Sequence, residues 1–203
     1  MSLGKKKLLI FIISYKASFR VKEVFDKIPF KRLKNFQINV LISDDCSMDD
    51  TIDYAKKIKK KDKRVFLNEN KINLGYGAHI KKCLNFALKK KYKYAVMIHG
   101  DGQFNPKYIP DLLLKLENSN VSAATGSRIL SGINTVRSGG MPLYKMAGNI
   151  LLTKLFNFLL NKNFTDAHTG LWAYNLNFLK NRKFNLLTNS FNFDQEFRFK
   201  NVL

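Results

Sequence analysis

The chain has 203 residues, 45% of them apolar, enough for one sizeable buried core and expected to form a single domain over residues 1–203. Its 36 Lys and Arg against 15 Asp and Glu give a net charge of +21, a field that attracts phosphorylated substrates, anionic lipid or nucleic acid. No uninterrupted apolar run reaches the roughly 18 residues that a membrane span needs. The basic start has no cleavage-site pattern, and Cys46 and Cys83 have neither disulfide-framework nor zinc spacing. A secreted disulfide scaffold, a membrane bundle and a zinc module are thereby excluded, and a reducing cytoplasm is the expected compartment.

Leu8 to Ser14 is a continuous apolar run closed by a polar residue, the pattern of a strand covered on both faces. A helix is expected over 18–27. Ile38 to Ser43 reads as a second buried strand that runs into the acidic turn DDCSMDDT, and helical spacing returns over Thr51 to Lys60. A short strand over Arg64 to Leu67 leads through the turn NLGYG into a helix from Ala78 to Lys89. The fourth strand, Tyr94 to Ile98, empties into HGDGQFNP, where Asn105-Pro106 reads as an N-cap followed by a proline at the first helical position. That helix is expected to reach Glu117, followed by a strand over Val121 to Thr125. A glycine-rich irregular segment from Arg128 to Met141 then precedes a long apolar helix over Tyr144 to Leu160 and a further strand over Leu171 to Tyr174. Glu196 to Leu203 reads as a helix that stops without a cap, the sign of a domain cut at its C-terminus. Alternating strands and helices predict an α/β domain with a mostly parallel sheet and a ligand crevice at the carboxyl ends of the strands.

Every polar motif up to the fifth strand lies at such an end. Adjacent Asp44 and Asp45 close a buried strand, where two like charges require a ligand, a metal or hydrogen-bond donors. In His99-Gly100-Asp101-Gly102-Gln103, Asp101 offers a hard oxygen to Mg²⁺ or Mn²⁺, Gln103 a second oxygen and His99 a nitrogen, and the glycines let a diphosphate approach the backbone. Asp166, Asp194 and Glu196 are candidate bases for an acceptor oxygen, with helix capping the competing explanation for the last two.

The ordered set DDCSMDDT, NLGYG, HGDGQFNP, GSRI, GGMPLYKMAGN, DAHTGLWAY and SFNFDQEF resembles the inverting nucleotide-sugar glycosyltransferases of the GT-A fold, in particular the branch of dolichyl-phosphate mannosyltransferase and bacterial polyprenyl-phosphate glycosyltransferases. The resemblance implies a donor site with Ser14 and Tyr15 at the nucleotide, Asp44 and Asp45 at base or ribose, and Gly75 and Gly100 at close backbone approaches. It also implies Asp101 as the second acid of the metal-binding D-x-D and Gln103 in the metal shell. His99 departs from that pattern, which usually has aspartate there. Arg128 is then a phosphate ligand and Asp166 an acceptor-side acid. Arg137, Lys145 and His168 belong to the acceptor region. The implied acceptor is a polyprenyl phosphate or a saccharide at the inner face of a membrane, as in cell-envelope polysaccharide synthesis, reached through the basic, amphipathic surface around Tyr144 to Leu160. Two other classes fit parts of the pattern: a nucleotidyltransferase, whose glycine-rich phosphate loop is missing after the first strand, and a basic nucleic-acid-binding protein, for which no binding module is visible.

Overall fold

The computed structural model describes residues 4–119, 121–129, 142–161, 163–167, 169–180 and 183–202. Six strands form one sheet: β1 (Lys6–Ser14), β2 (Phe36–Asp44), β3 (Val65–Glu69), β4 (Tyr94–His99), β5 (Ala123–Thr125) and β6 (Leu171–Asn175), in the order β3-β2-β1-β4-β6-β5. The helices are α1 (Arg20–Asp26), α2 (Thr51–Lys61), α3 (Tyr76–Lys89), α4 (Ile109–Asn118), α5 (Leu143–Leu160), α6 (Leu176–Leu179) and α7 (Phe193–Val202).

Strand β1 is central because nothing in it asks for water. Leu8 to Ile12 are wholly buried, and their side chains alternate between two cores as the pleat requires. Leu8, Ile10 and Ile12 join the cluster under α1, α2 and α4. Leu9, Phe11 and Ile13 join the opposite one, with Ile80 and Leu84 of α3 and Phe193 and Phe197 of α7. The sheet is therefore covered on both faces, as its unbroken apolar strands demanded.

β1 is parallel to both β2 and β4, whereas β6 is antiparallel to β4 and to β5. The sheet is mostly parallel, as expected, with β6 entering between β4 and β5 in the reverse direction. Its start therefore lies at the same edge as the end of β4, with Leu171 opposite Ile98. Strand order reverses at β1, which places the crevice between the carboxyl ends of β1 and β4.

Element boundaries differ from the sequence reading by a few residues. After Asn105, whose side chain accepts from the Lys107 amide, the chain first makes a 3₁₀ turn over Pro106–Tyr108 and only then enters α4. The C-terminal helix starts at Phe193, three residues before Glu196, because its first turn is buried, Phe197 packing on Trp172 and Tyr174 and Phe193 packing on Phe197.

Helix α3 starts where the 188–193 segment crosses it. The Gly77 amide donates to Asn189 O at 2.9 Å, and a Cβ at position 77 would lie 2.6 Å from Thr188 O. Gly77→Ala should therefore destabilise the fold by about 1–3 kcal/mol in urea unfolding, since overpacking against backbone outweighs the roughly 1 kcal/mol that alanine adds in helix propensity. A variant as stable as the wild type would show that this segment does not rest on α3.

Candidate functional site

The ends of β1, β2 and β4 and the start of β6 converge on one edge. The Asp45 amide donates to Ser14 O at 2.9 Å and the Gly100 amide to Ile13 O at 2.9 Å, so the three strand ends continue to be tied to one another past the ladder. Ser14 itself is buried, and its hydroxyl has no hydrogen-bond partner among the described residues. It lies directly beneath the β4 loop, where a Cβ on Gly100 would come 2.5 Å from the Ser14 oxygen. Glycine at 100 is thus required by close packing on β1. Tyr15, by contrast, is half exposed at the rim.

Asp44 and Asp45 are both buried, and the donors they need come from the chain itself. Asp44 accepts from the amide and the hydroxyl of Ser47, at 2.8 and 2.5 Å. Asp45 accepts from the Asn70 side chain at 2.7 Å, the Leu74 amide at 2.9 Å and the Gly75 amide at 3.1 Å. Neither strand-end acid needs an external ligand to be stable: Asp44 folds the 44–47 turn, and Asp45 pins the loop that leads to Gly75 and α3. Gly75 has a φ of 80°, the left-handed region that glycine enters at little cost.

The β4 loop carries the exposed chemistry. Asp101 accepts from the Gln103 amide at 3.0 Å, forming an Asx turn, and keeps 38% of its side chain exposed. Gln103 is exposed. The Nδ1 atom of His99 lies 3.9 Å from an Asp101 carboxylate oxygen, so both face the same space. On its other edge, His99 Nε2 is 3.3 Å from the Tyr76 hydroxyl, which donates to Asp194 at 2.6 Å. Tyr76 has one proton, and it is given to the Asp194 carboxylate. While Asp194 is ionised the hydroxyl can therefore only accept from His99, which places the imidazole proton on Nε2 and leaves the Nδ1 lone pair toward Asp101. The ring is held edge-on to Tyr76 and Phe104 and rests against Gly170, where a Cβ would lie 2.7 Å from it. Burial lowers the imidazole pKa, opposed by the nearby Asp101 charge and reinforced by Arg128, which favours the neutral, ligating form.

These residues suit a divalent cation that also binds a diphosphate. One carboxylate, one amide oxygen and one imidazole nitrogen are available, and the described residues contain no cluster of three or more His, Cys, Asp or Glu able to hold a metal by themselves. Mg²⁺ and Mn²⁺ are commonly held in this way, by one or two protein ligands plus phosphate oxygens and water.

Asp166 is fully enclosed. It accepts from Arg128 Nε at 2.9 Å, Arg128 Nη2 at 3.1 Å, the Arg128 amide at 3.1 Å and Asn149 Nδ2 at 3.0 Å. Burial alone would raise its pKa, but the hydrogen bonds from Arg128 and Asn149 outweigh it and hold the carboxyl below its ordinary value. Here Asp166 anchors Arg128, whose guanidinium also lies 4.9 Å from the centre of the Phe104 ring. Asp194 is buried under Tyr76, and Glu196 accepts from the Thr188 amide at 2.6 Å, holding the 188–193 segment. Lys145 is exposed near the start of α5, while Arg137 and His168 lie outside the described residues. Tyr76, Phe104, Asn149 and Gly170 complete the arrangement. Sequence reading did not single them out, although all but Gly170 have a polar or aromatic side chain inside a quoted motif.

Burial pushes the Asp194 pKa up to about 7, against the Tyr76 hydrogen bond and the Arg198 charge, which lower it. The folded state then binds a proton that the unfolded chain releases near pH 4. This contribution to stability is complete below that pH and is lost as pH rises through about 7. Asp194→Asn should therefore remove a loss of stability between pH 5 and pH 8 of order 2–4 kcal/mol. Parallel pH slopes for variant and wild type in denaturant titrations would refute the assignment.

Residues 10–182 match glycosyl transferase family 2. The chain is 35% identical over 162 residues to the uncharacterized protein MJ0544 of Methanocaldococcus jannaschii, covering 76% of this chain and 67% of that one. Its fold is similar to glucosyl-3-phosphoglycerate synthase from Mycobacterium tuberculosis in complex with phosphoglyceric acid (TM-score 0.64, 14% identity, 98% of this chain and 68% of that one). It is also similar to mannosyltransferase PcManGT from Pyrobaculum calidifontis in complex with GDP-Man and Mn²⁺ (TM-score 0.57, 15% identity, 88% of this chain). The chain spans about half the length of that mannosyltransferase, 47%. With its mixed six-stranded sheet, its crevice at the β1/β4 switch and a family match over most of its length, this chain belongs to glycosyl transferase family 2 and has the GT-A fold.

Proposed function

We propose that the chain transfers a sugar from a UDP- or GDP-sugar to a lipid-phosphate acceptor with inversion, the donor diphosphate lying on a divalent cation at His99 to Gln103. The observation that carries this reading is the pairing of His99 Nδ1 with the exposed Asp101 carboxylate at the β1/β4 switch point. The family match supports transfer from a nucleotide sugar, and the GDP-Man and Mn²⁺ held by PcManGT on a similar fold support the donor and metal classes. When bound, the cation neutralises charge on the departing diphosphate. Asp101 and Gln103 present oxygens to it, and His99 presents the nitrogen whose lone pair Tyr76 and Asp194 direct. An imidazole ligand favours Mn²⁺ over Mg²⁺, which strongly prefers oxygen. Asp44 and Asp45 act by shaping the turns at the nucleoside end, and Arg128, held by Asp166, adds positive charge beside the diphosphate.

What the carboxylates do supports the acceptor reading. Asp166, Asp194 and Glu196 are each committed to a protein donor, and Asp166 and Asp194 are buried. None presents a free carboxylate to an incoming hydroxyl, whereas a phosphate acceptor is already anionic and needs no base. The net charge of +21 attracts such an acceptor. We assign polyprenyl phosphate at the inner membrane face to this role.

Calorimetry with UDP- and GDP-sugars should show binding that requires Mn²⁺. Asp101→Ala should abolish the metal dependence, and Tyr76→Phe should weaken it by about tenfold, the usual size of an effect on a ligand's orienting partner. Metal-independent binding, or unchanged binding in Asp101→Ala, would overturn the donor-site reading. Full metal dependence in Tyr76→Phe would leave that reading intact and remove only the tautomer assignment.

A further inference from the structure

Helix α5 is built inside out. Its polar residues Asn149, Thr153 and Asn157 recur every four positions and face the protein. Asn149 donates to Asp166, Thr153 accepts from the Ala167 amide at 3.2 Å, and Asn157 donates to Phe164 O while accepting from the Phe164 amide, both at 2.8 Å. Asn149 and Thr153 are buried. The apolar residues take the other side: Tyr144, Leu151, Leu152, Leu155, Phe158 and Leu159 are all exposed, Leu151 by 69% and Phe158 by 83%.

At about 100° per residue these six side chains fill one sector roughly 120° wide, with Lys145 at one border and Lys154 at the other. The helix has no acidic residue. Leaving a Leu or Phe in water forgoes burial free energy, and an apolar sector of this extent marks an interaction surface. Its anatomy is that of a helix lying in a bilayer interface: apolar residues down, and lysines at the borders whose stems reach along the acyl region to place their charges at headgroup level. No described helix is long and apolar enough to cross a membrane, so the contact is in-plane. The net charge of +21 selects anionic lipid.

We infer that α5 docks this chain on an anionic membrane surface through Leu151, Leu155 and Phe158, with Lys145 and Lys154 at the headgroups. The polar back of the same helix holds Asp166, which holds Arg128, so the face turned to the bilayer and the arginine proposed to bind phosphate are joined through one helix. The inference rests on the lipid-phosphate reading for its biological sense, but docking and donor binding are measured separately.

The test is flotation of the purified chain with vesicles of phosphatidylcholine alone or mixed with phosphatidylglycerol, with donor calorimetry run in the absence of lipid. The wild type should float with the anionic vesicles and bind the neutral ones at least about tenfold more weakly, and added salt should reduce its binding. The triple variant Leu151→Ser, Leu155→Ser, Phe158→Ser should lose at least about tenfold in partitioning, with its circular dichroism and donor binding unchanged. Lys154→Glu should lose affinity for anionic vesicles only. Should the triple variant misfold, Leu155→Trp supplies an independent readout, a blue-shifted emission on vesicles. A wild type that stays unbound, equal flotation of the triple variant, or substitutions that only dissociate a dimer of this chain would overturn the inference. Loss of flotation with intact donor binding supports docking, whereas flotation without donor binding would refute the donor reading alone.

Discussion

Strand β1 is buried on both faces from Leu8 to Ile12 and paired in parallel on both sides. Along that length no polar side chain can be placed without stranding a hydrogen-bonding group. All the chemistry of the sheet is thereby pushed to its carboxyl edge, where the pairing ends and amides are available. Three consecutive consequences are visible there: Asp44 and Asp45 at the end of β2, the His99 to Gln103 loop at the end of β4, and the start of β6 brought opposite by its reversed direction.

Within that edge, two kinds of acid are separated by their surroundings. Asp44, Asp45, Asp166 and Glu196 each accept from backbone amides at turns or loops and so act as internal fasteners. Asp101 is 38% exposed and, among the described residues, bonds only its own turn, which leaves it able to serve a ligand. Asp194 stands between the two. Buried under Tyr76, it reaches the crevice only through a phenol and an imidazole. In the proposed donor site this line of contacts would give a physical role to the histidine that stands where the resembled pattern has aspartate. A neutral ring with a fixed proton supplies one directed lone pair, while an aspartate would supply charge.

Asp166 joins the two halves of the molecule's proposed work. Its oxygens accept from Arg128, beyond β5, and from Asn149 of α5, and its carbonyl accepts from Arg198 of α7. Asp166 is held by partners from three parts of the chain, two of them on its carboxylate, so a shift of α5 would be felt by Arg128. The polar stripe that makes this connection is also what turns the apolar side of α5 outward.

The sequence alone determined the layers and most of the element order, because unbroken apolar strands alternating with helical spacing admit few other arrangements. It also singled out the loop proposed to hold the metal, since Asp101 and Gln103 between glycines at a strand end is a local pattern. It could not tell which acids serve a ligand and which serve the chain. Asp45 and Asp101 look alike as strand-end carboxylates, and only the arrival of Asn70 and the Leu74 and Gly75 amides distinguishes them. Tyr76 and Asp194 are 118 residues apart, so their link to His99 exists only after α3 and α7 pack on one face of the sheet. For α5 the helix and an amphipathic surface were legible in the sequence, but which of its residues face outward was not. Apolar content predicts burial until the segment around Asp166 takes the polar stripe and leaves the leucines outside. Local pattern sets which groups are present, and the tertiary structure decides which of them have their hydrogen bonds already filled.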